Sequence, residues 1–371
     1  MKSISPVLVS ALALLAGCSN GGGGSTPDSG SGGASAGGSG GTSTGTGGAQ
    51  GSGGGASGGA SGTGGSIAGT GGAIGTGGAA DGGTDMTTAD SGSDASTAYK
   101  PFTCPPGPFL PQNAGTTTNI CNGFKYNYGY NEGPTWIASQ NAFFFSNFVQ
   151  GDKNVTNFSS GDIIKYTLGG SCEVWLHDVG CNGLGVSANG NLLGACHGPR
   201  AVMEYDVITK QGKALATMAG GQMLDSPNDL ISHTNGTIYF SNTIFELGTR
   251  PQALGSALVM ISPAGMTTVI QKGGLNGMAL SPDQKTLYVV GMGVWNLDDN
   301  GTPTTKTSQA GPGGDGIGMD CAKNLINTAE NYGTNVAFGG PDGKTMIAVG
   351  NGASGSPTAA KIIQMTVPGF P

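Results

Sequence analysis

Six side chains recur at the start of six similar stretches of this chain: Glu132, Asn182, Asn228, Asn276, Asp315 and Asn335. Two carboxylates and four amides form an all-oxygen donor set, the kind a hard divalent cation prefers, and two negative charges balance such an ion. Calcium suits this mixture best, with magnesium and zinc as the other candidates, zinc least because it favours nitrogen and sulfur. Without a cation, two carboxylates on a narrow axis repel and one tends to keep a proton. The plainer reading is that these residues only open strands, since Asn-Gly and Asp-Gly are common turn formers.

What brings six distant residues together must be a repeat. Asn131–Phe148, Cys181–Gly198, Pro227–Ile244, Leu275–Met292, Gly314–Asn331 and Thr334–Asn351 align almost without gaps. Each runs polar residue, short apolar strand, turn, second apolar strand, which is the pattern of a β-hairpin. Further strand-like runs such as Asp162–Tyr166, Ala201–Tyr205 and Ala257–Met260 lie between them. Helical periodicity is absent. The recurring positions are 50, 46, 48, 39 and 20 residues apart. A period in the forties with about four strands predicts an all-β, six-bladed β-propeller. The innermost strands of such a ring line a channel, so the six side chains meet at one mouth, with Asn147, His197 and Asn242 close by. The last spacing is too short for a whole blade. Either the fifth or sixth blade is truncated, or its missing edge comes from the segment before Glu132.

The rest of the chain frames this domain. Residues 1–18 carry Lys2, an apolar run and Leu15-Ala16-Gly17-Cys18, the features of an export signal ending in a lipobox, with Cys18 as the lipidated residue. Ser19 follows rather than an aspartate, which favours the outer membrane or cell surface over inner-membrane retention. Residues 19–97 are almost all Gly, Ser, Thr and Ala, a tether with no side chains to bury. Residues 98–371 are left for one large domain, expected to be monomeric. The net charge is −7 and no basic block occurs, which argues against nucleic acid as a partner; the membrane is expected to be met only through Cys18. Six cysteines follow Cys18 in an oxidising setting, and Cys104–Cys121 with Cys172–Cys181 are the local pairings expected.

Motif order carries a resemblance. Glu132-Gly133-Pro134-x-Trp136, Leu193–Arg200, Ser226–Leu230, Leu275–Val289, Asp315-Gly316-Ile317 and Asn335–Thr345 together resemble the gluconolactonase branch of the SMP-30/gluconolactonase/LRE-like propellers. The resemblance implies metal ligands at Glu132, Asn228, Asn276 and Asp315, and hydrolysis of sugar lactones. It implies a cation that polarises the lactone carbonyl, with Asp315, or else Glu132, as general base. His197 matches the family's His-Gly segment and is the third candidate catalytic residue; a structural histidine bonded to a neighbouring blade is the competing reading. Trp136 is expected as packing between blades, and His177 and His233 as surface or turn residues. Ser146-Asn147 and Ser241-Asn242 depart from the family, which more often carries an aspartate there. With the short blade, they motivate the alternative of a non-catalytic calcium- or sugar-binding surface propeller. Phe245–Gly255 and Val294–Gly313 are expected as loops that select the substrate.

Overall fold

The computed structural model describes residues 100–149, 160–327, 333–350 and 359–370. The expected export signal, lipid anchor and tether lie outside these residues. Blade one is a meander of β2 (Tyr130–Ile137), β3 (Ala142–Phe148), β4 (Gly161–Thr167) and β5 (Cys172–Leu176), preceded in the chain by β1 (Ala114–Asn119). Blade two is β6 (Cys181–Val186), β7 (Leu192–Cys196), β8 (Ala201–Tyr205) and β9 (Gly212–Ala216). A small hairpin, β10 (Met218–Ala219) and β11 (Gln222–Met223), leads to blade three: β12 (Ser226–Ser232), β13 (Ile238–Thr243), β14 (Ala257–Ile261) and β15 (Thr267–Lys272). Blade four is β16 (Met278–Leu280), β17 (Thr286–Val289), β18 (Gly293–Leu297) and β19 (Pro303–Ser308).

The irregular spacing of the last repeats is resolved in two ways at once. Blade five is indeed short: β20 (Ile317–Asp320) pairs with β21 (Leu325–Asn327), and its other edge is taken by the C-terminal β25 (Gly369–Phe370). Blade six is full: β22 (Asn335–Gly339), β23 (Thr345–Gly350) and β24 (Ala359–Met365) are completed by β1, which supplies the outer edge from the segment before Glu132. Ring closure is thus shared: β1 completes blade six, and β25 completes blade five. All ladders are antiparallel, as meandering blades require. Val294–Gly313, expected as a loop, is half made of the two outer strands of blade four, β18 and β19.

The core is a series of interblade layers, not one centre. Phe144, Trp175, Leu184 and Leu192 join blades one and two; Leu193, Leu230, Phe240 and Val259 join two and three; Trp136, Phe143, Ile347 and Val349 join six and one. Trp136 packs on Phe143 with ring centroids 4.8 Å apart, in the interblade role its sequence position suggests.

The cysteines pair differently from the local scheme: Cys104–Cys321, Cys121–Cys172 and Cys181–Cys196. Nearness in sequence misleads here because a closed ring brings its ends together. Cys181 and Cys196 face each other directly across the β6–β7 hairpin, whereas Cys104 reaches blade five across a separation of 217 residues.

Candidate metal centre at the channel mouth

Three innermost strands break register at the same place. The shifts fall between Glu132 and Thr135, between Cys181 and Leu184, and between Pro227 and Leu230. Such irregularities re-aim side chains that a regular strand would turn into the sheet. The residues re-aimed are Glu132, Asn182 and Asn228. They are followed by Gly133, Gly183 and Asp229, and in blades four and five Asn276-Gly277 and Asp315-Gly316 repeat the pattern. The glycines are forced by close approach. A Cβ on Gly133, whose φ is +50°, would lie 2.4 Å from Gly183 Cα, and one on Gly183 would lie 2.5 Å from Asp229 Oδ1.

A cavity of about 550 Å³ opens at this mouth, lined by Glu132, Asn182, Asn228, Asn276 and Asp315 together with Tyr130, Phe245 and Glu246. All four residues proposed as ligands therefore face one space, with Asn182 beside them. Asn335, the sixth of the series, does not line it. Its amide donates to Asp229 Oδ2 at 3.1 Å and accepts from Val336 N. His197 also lies outside the lining: its ring packs on Phe148 at 5.1 Å, its Nδ1 is buried without a hydrogen-bond partner, and burial with the Arg250 charge lowers its pKa to about 3. It is a neutral imidazole over the whole physiological range. His233 sits in a turn, where its Nδ1 accepts from Asn235 N.

The electrostatics of the mouth are those of too many carboxylates. Burial pushes Glu132 well above the usual carboxylate range, and the charges of Asp315 and Asp229 add to this against hydrogen bonds from Gly133 N and the Thr334 side chain. Burial raises Asp315 to about 6, opposed by the amide of Asn276, which donates to its Oδ1. Asp229 is pushed up to about 7 by burial, although Leu230 N and Asn335 Nδ2 both donate to it. Glu246 also stands at about 7 through burial, with Ser226 Oγ donating to its Oε2 at 2.9 Å. Among the described residues no lysine or arginine lines the cavity.

A divalent cation fits this set. It would offset the cost of burying these carboxylates in charged form and the lesser repulsion among them, and every polar side-chain group lining the cavity is an amide, carboxylate or phenol. Among the described residues no three His, Cys, Asp or Glu side chains cluster closely enough to hold an ion by themselves, so an ion here must draw on the asparagines.

Asn147 and Asn242 prove to be supports. Asn147 Nδ2 donates to Tyr128 O, Tyr130 O and Asn131 Oδ1 while its Oδ1 accepts from Tyr128 N. Asn242 does the same for blade three, accepting from Asp225 N and donating to Gly255 O. An aspartate could not donate, so the departure from the family preference is a different way of pinning the strand that carries the ring residue.

Glu246 and Asp229 are the functional groups that the repeat alone did not single out. Asp229 was legible in principle, since it occupies the position that holds glycine in four of the other units. Glu246 lies in the connection between β13 and β14, outside the aligned hairpins.

Comparison with known proteins places the family and the fold. Residues 130–329 match the SMP-30/Gluconolactonase/LRE-like region, which takes in the first five blades and stops before the sixth. A gluconolactonase of Zymomonas mobilis is 29% identical over 196 residues, covering 48% of this chain and 55% of that protein, so the chain spans about half the length of that relative. A gluconolactonase from Xanthomonas campestris superimposes with a TM-score of 0.54 at 21% identity over 71% of this chain and 99% of its own. A putative gluconolactonase gives 0.56 at 19% over 71% and 96%, and a luciferin-regenerating enzyme 0.52 at 15% over 70% and 98%. At these identities the structures share the fold.

Proposed function

The chain belongs to the SMP-30/Gluconolactonase/LRE-like family, and from that premise we propose that it is a metal-dependent lactone hydrolase acting on sugar lactones. The observation that carries this reading is the convergence of Glu132, Asn228, Asn276 and Asp315 on one mouth cavity. These four would hold the cation, calcium by the chemistry of its donors. The chemistry that such an ion supplies when bound is polarisation of the lactone carbonyl.

The chain's own residues do the rest. Asp315 is the more accessible of the two carboxylates, with a pKa near 6 before any ion binds, and accepts the proton of the attacking water. Water oxygen adds to the carbonyl carbon, the ring C–O bond breaks, and the departing alkoxide takes that proton to become a hydroxyl. Glu132, buried and fixed by Gly133 N, contributes charge and position. His197, neutral and packed on Phe148, is assigned to supporting the mouth from behind and not to proton transfer. Acid release from glucono-δ-lactone by the calcium-loaded protein tests this: Asp315→Asn should lower kcat at least a hundredfold. Loss of less than threefold would remove Asp315 from the reaction.

We also propose that the protein is exported and anchored through Cys18. Three disulfides fit an oxidising compartment. Cys18→Ser should move the protein from the membrane to the soluble fraction, and an unchanged distribution would rule the anchor out.

A further inference from the structure

The proposed ligands come from blades one, three, four and five, which leaves the ring position of blade two, Asn182, free for another task. Its strand β6 lies between β2 of blade one and β12 of blade three. Each of these neighbours contributes an aromatic ring to the same cavity: Tyr130, two residues before Glu132, and Phe245, in the connection from β13 to β14.

The two rings differ in setting. Tyr130 is 8% exposed and lies edge-on to Phe148 at 5.4 Å, and Phe148 in turn packs on His197. Phe245 is 52% exposed, an unfavourable place for a phenylalanine in water. Yet its neighbour Glu246 is buried and bonded to Ser226 Oγ at 2.9 Å. Arg250 Nη2 donates to Glu246 O, and Arg250 Nη1 donates to His197 O and Gly198 O. The connection is thus tied to blade two on one side and to blade three on the other, which anchors the backbone that carries the exposed ring.

We propose that Tyr130 and Phe245 form an aromatic subsite over blade two that takes the C–H face of a polyhydroxylated ring, with the Asn182 amide between them for a hydroxyl group. Aromatic faces are electron-rich and attract the weakly positive C–H hydrogens of a sugar ring, while the amide both donates to and accepts from hydroxyls. A purely aliphatic ring would leave the buried amide unpaired. This rests on the lactonase reading and adds the residues that select the substrate.

Two measurements on the calcium-loaded full chain decide it. With glucono-δ-lactone, Phe245→Ala and Phe245→Leu should raise KM about tenfold while kcat changes less than threefold, and Phe245→Trp should restore KM to within threefold. Calorimetry with D-glucono-δ-lactam, which has the same ring but is not hydrolysed, should show a matching tenfold loss of affinity in Phe245→Ala. Lactam binding that depends on Phe245 in a protein without turnover would sink the hydrolase assignment and leave the subsite standing. Equal binding to the parent and Phe245→Ala, absence of lactam binding to the parent, or an Ala effect confined to kcat would each overturn the subsite.

Discussion

Glu132, Asp229, Glu246 and Asp315 hold their protons to higher pH in the folded chain than in the unfolded one. Between about pH 4, where unfolded carboxyls ionise, and the folded values of about 6 to 7, the native state binds more protons, so stability falls as pH rises. His197 runs the other way: its imidazole stays neutral down to about 3 when folded but takes up a proton near 6.5 when unfolded. Four raised carboxyls outweigh it. In chelator, the melting temperature is therefore predicted to drop from pH 4.5 to pH 7.5, calcium at pH 7.5 should restore it, and Asp229→Asn should flatten the drop by removing one contributor. A melting temperature that climbs over that range in chelator would show that the mouth carboxylates are ionised and paired in some other way.

At the scale of elements, the weak point is blade five. It has two short strands of its own, and its remaining edge is supplied by β25. Gln112 reinforces the junction, donating to Asp320 Oδ2 and Val367 O and accepting from Val367 N. Cys104–Cys321 ties the N-terminal segment to the same blade, six residues beyond Asp315. A cross-link over so long a loop stabilises by about 2–5 kcal/mol. Replacing both cysteines by alanine should lower the melting temperature by roughly 5–15 °C. Scanning calorimetry reads this directly, and an unchanged melting temperature would mean that β1 and β25 close the ring unaided. How far these elements were legible depends on what the sequence encodes locally. Hairpins with their turns and the polar residue that opens each one repeat visibly, so the blades and the six ring positions could be read; the choice of four of them as proposed ligands rests on the family resemblance. The shortfall in spacing between Asp315 and Asn335 was also visible. Which strand fills which edge was not, because β1 and β25 are short, irregular in pattern and defined only by where the ring closes. The cysteine pairing failed to show for the same reason.

For the molecule as a whole, closure of the ring is what turns a linear repeat into chemistry. Each blade alone offers one oxygen donor at the opening of its hairpin; six blades on a common axis bring five of those donors to one cavity, while Asn335 bonds to Asp229 instead. That exception had no local signal, since Asn335 opens its hairpin as the others do. It follows from Asp229 standing where four neighbours have glycine, which fills the waist of the channel and recruits the nearest amide. The most direct test of the account is a calcium titration by calorimetry at pH 7.5 on the chelator-stripped protein. One ion should bind per chain, Glu132→Gln and Asp315→Asn should each weaken binding at least a hundredfold, and Glu173→Gln on the exposed outer strand of blade one should leave it unchanged. Calcium affinity that survives intact in both mouth variants would contradict the metal centre.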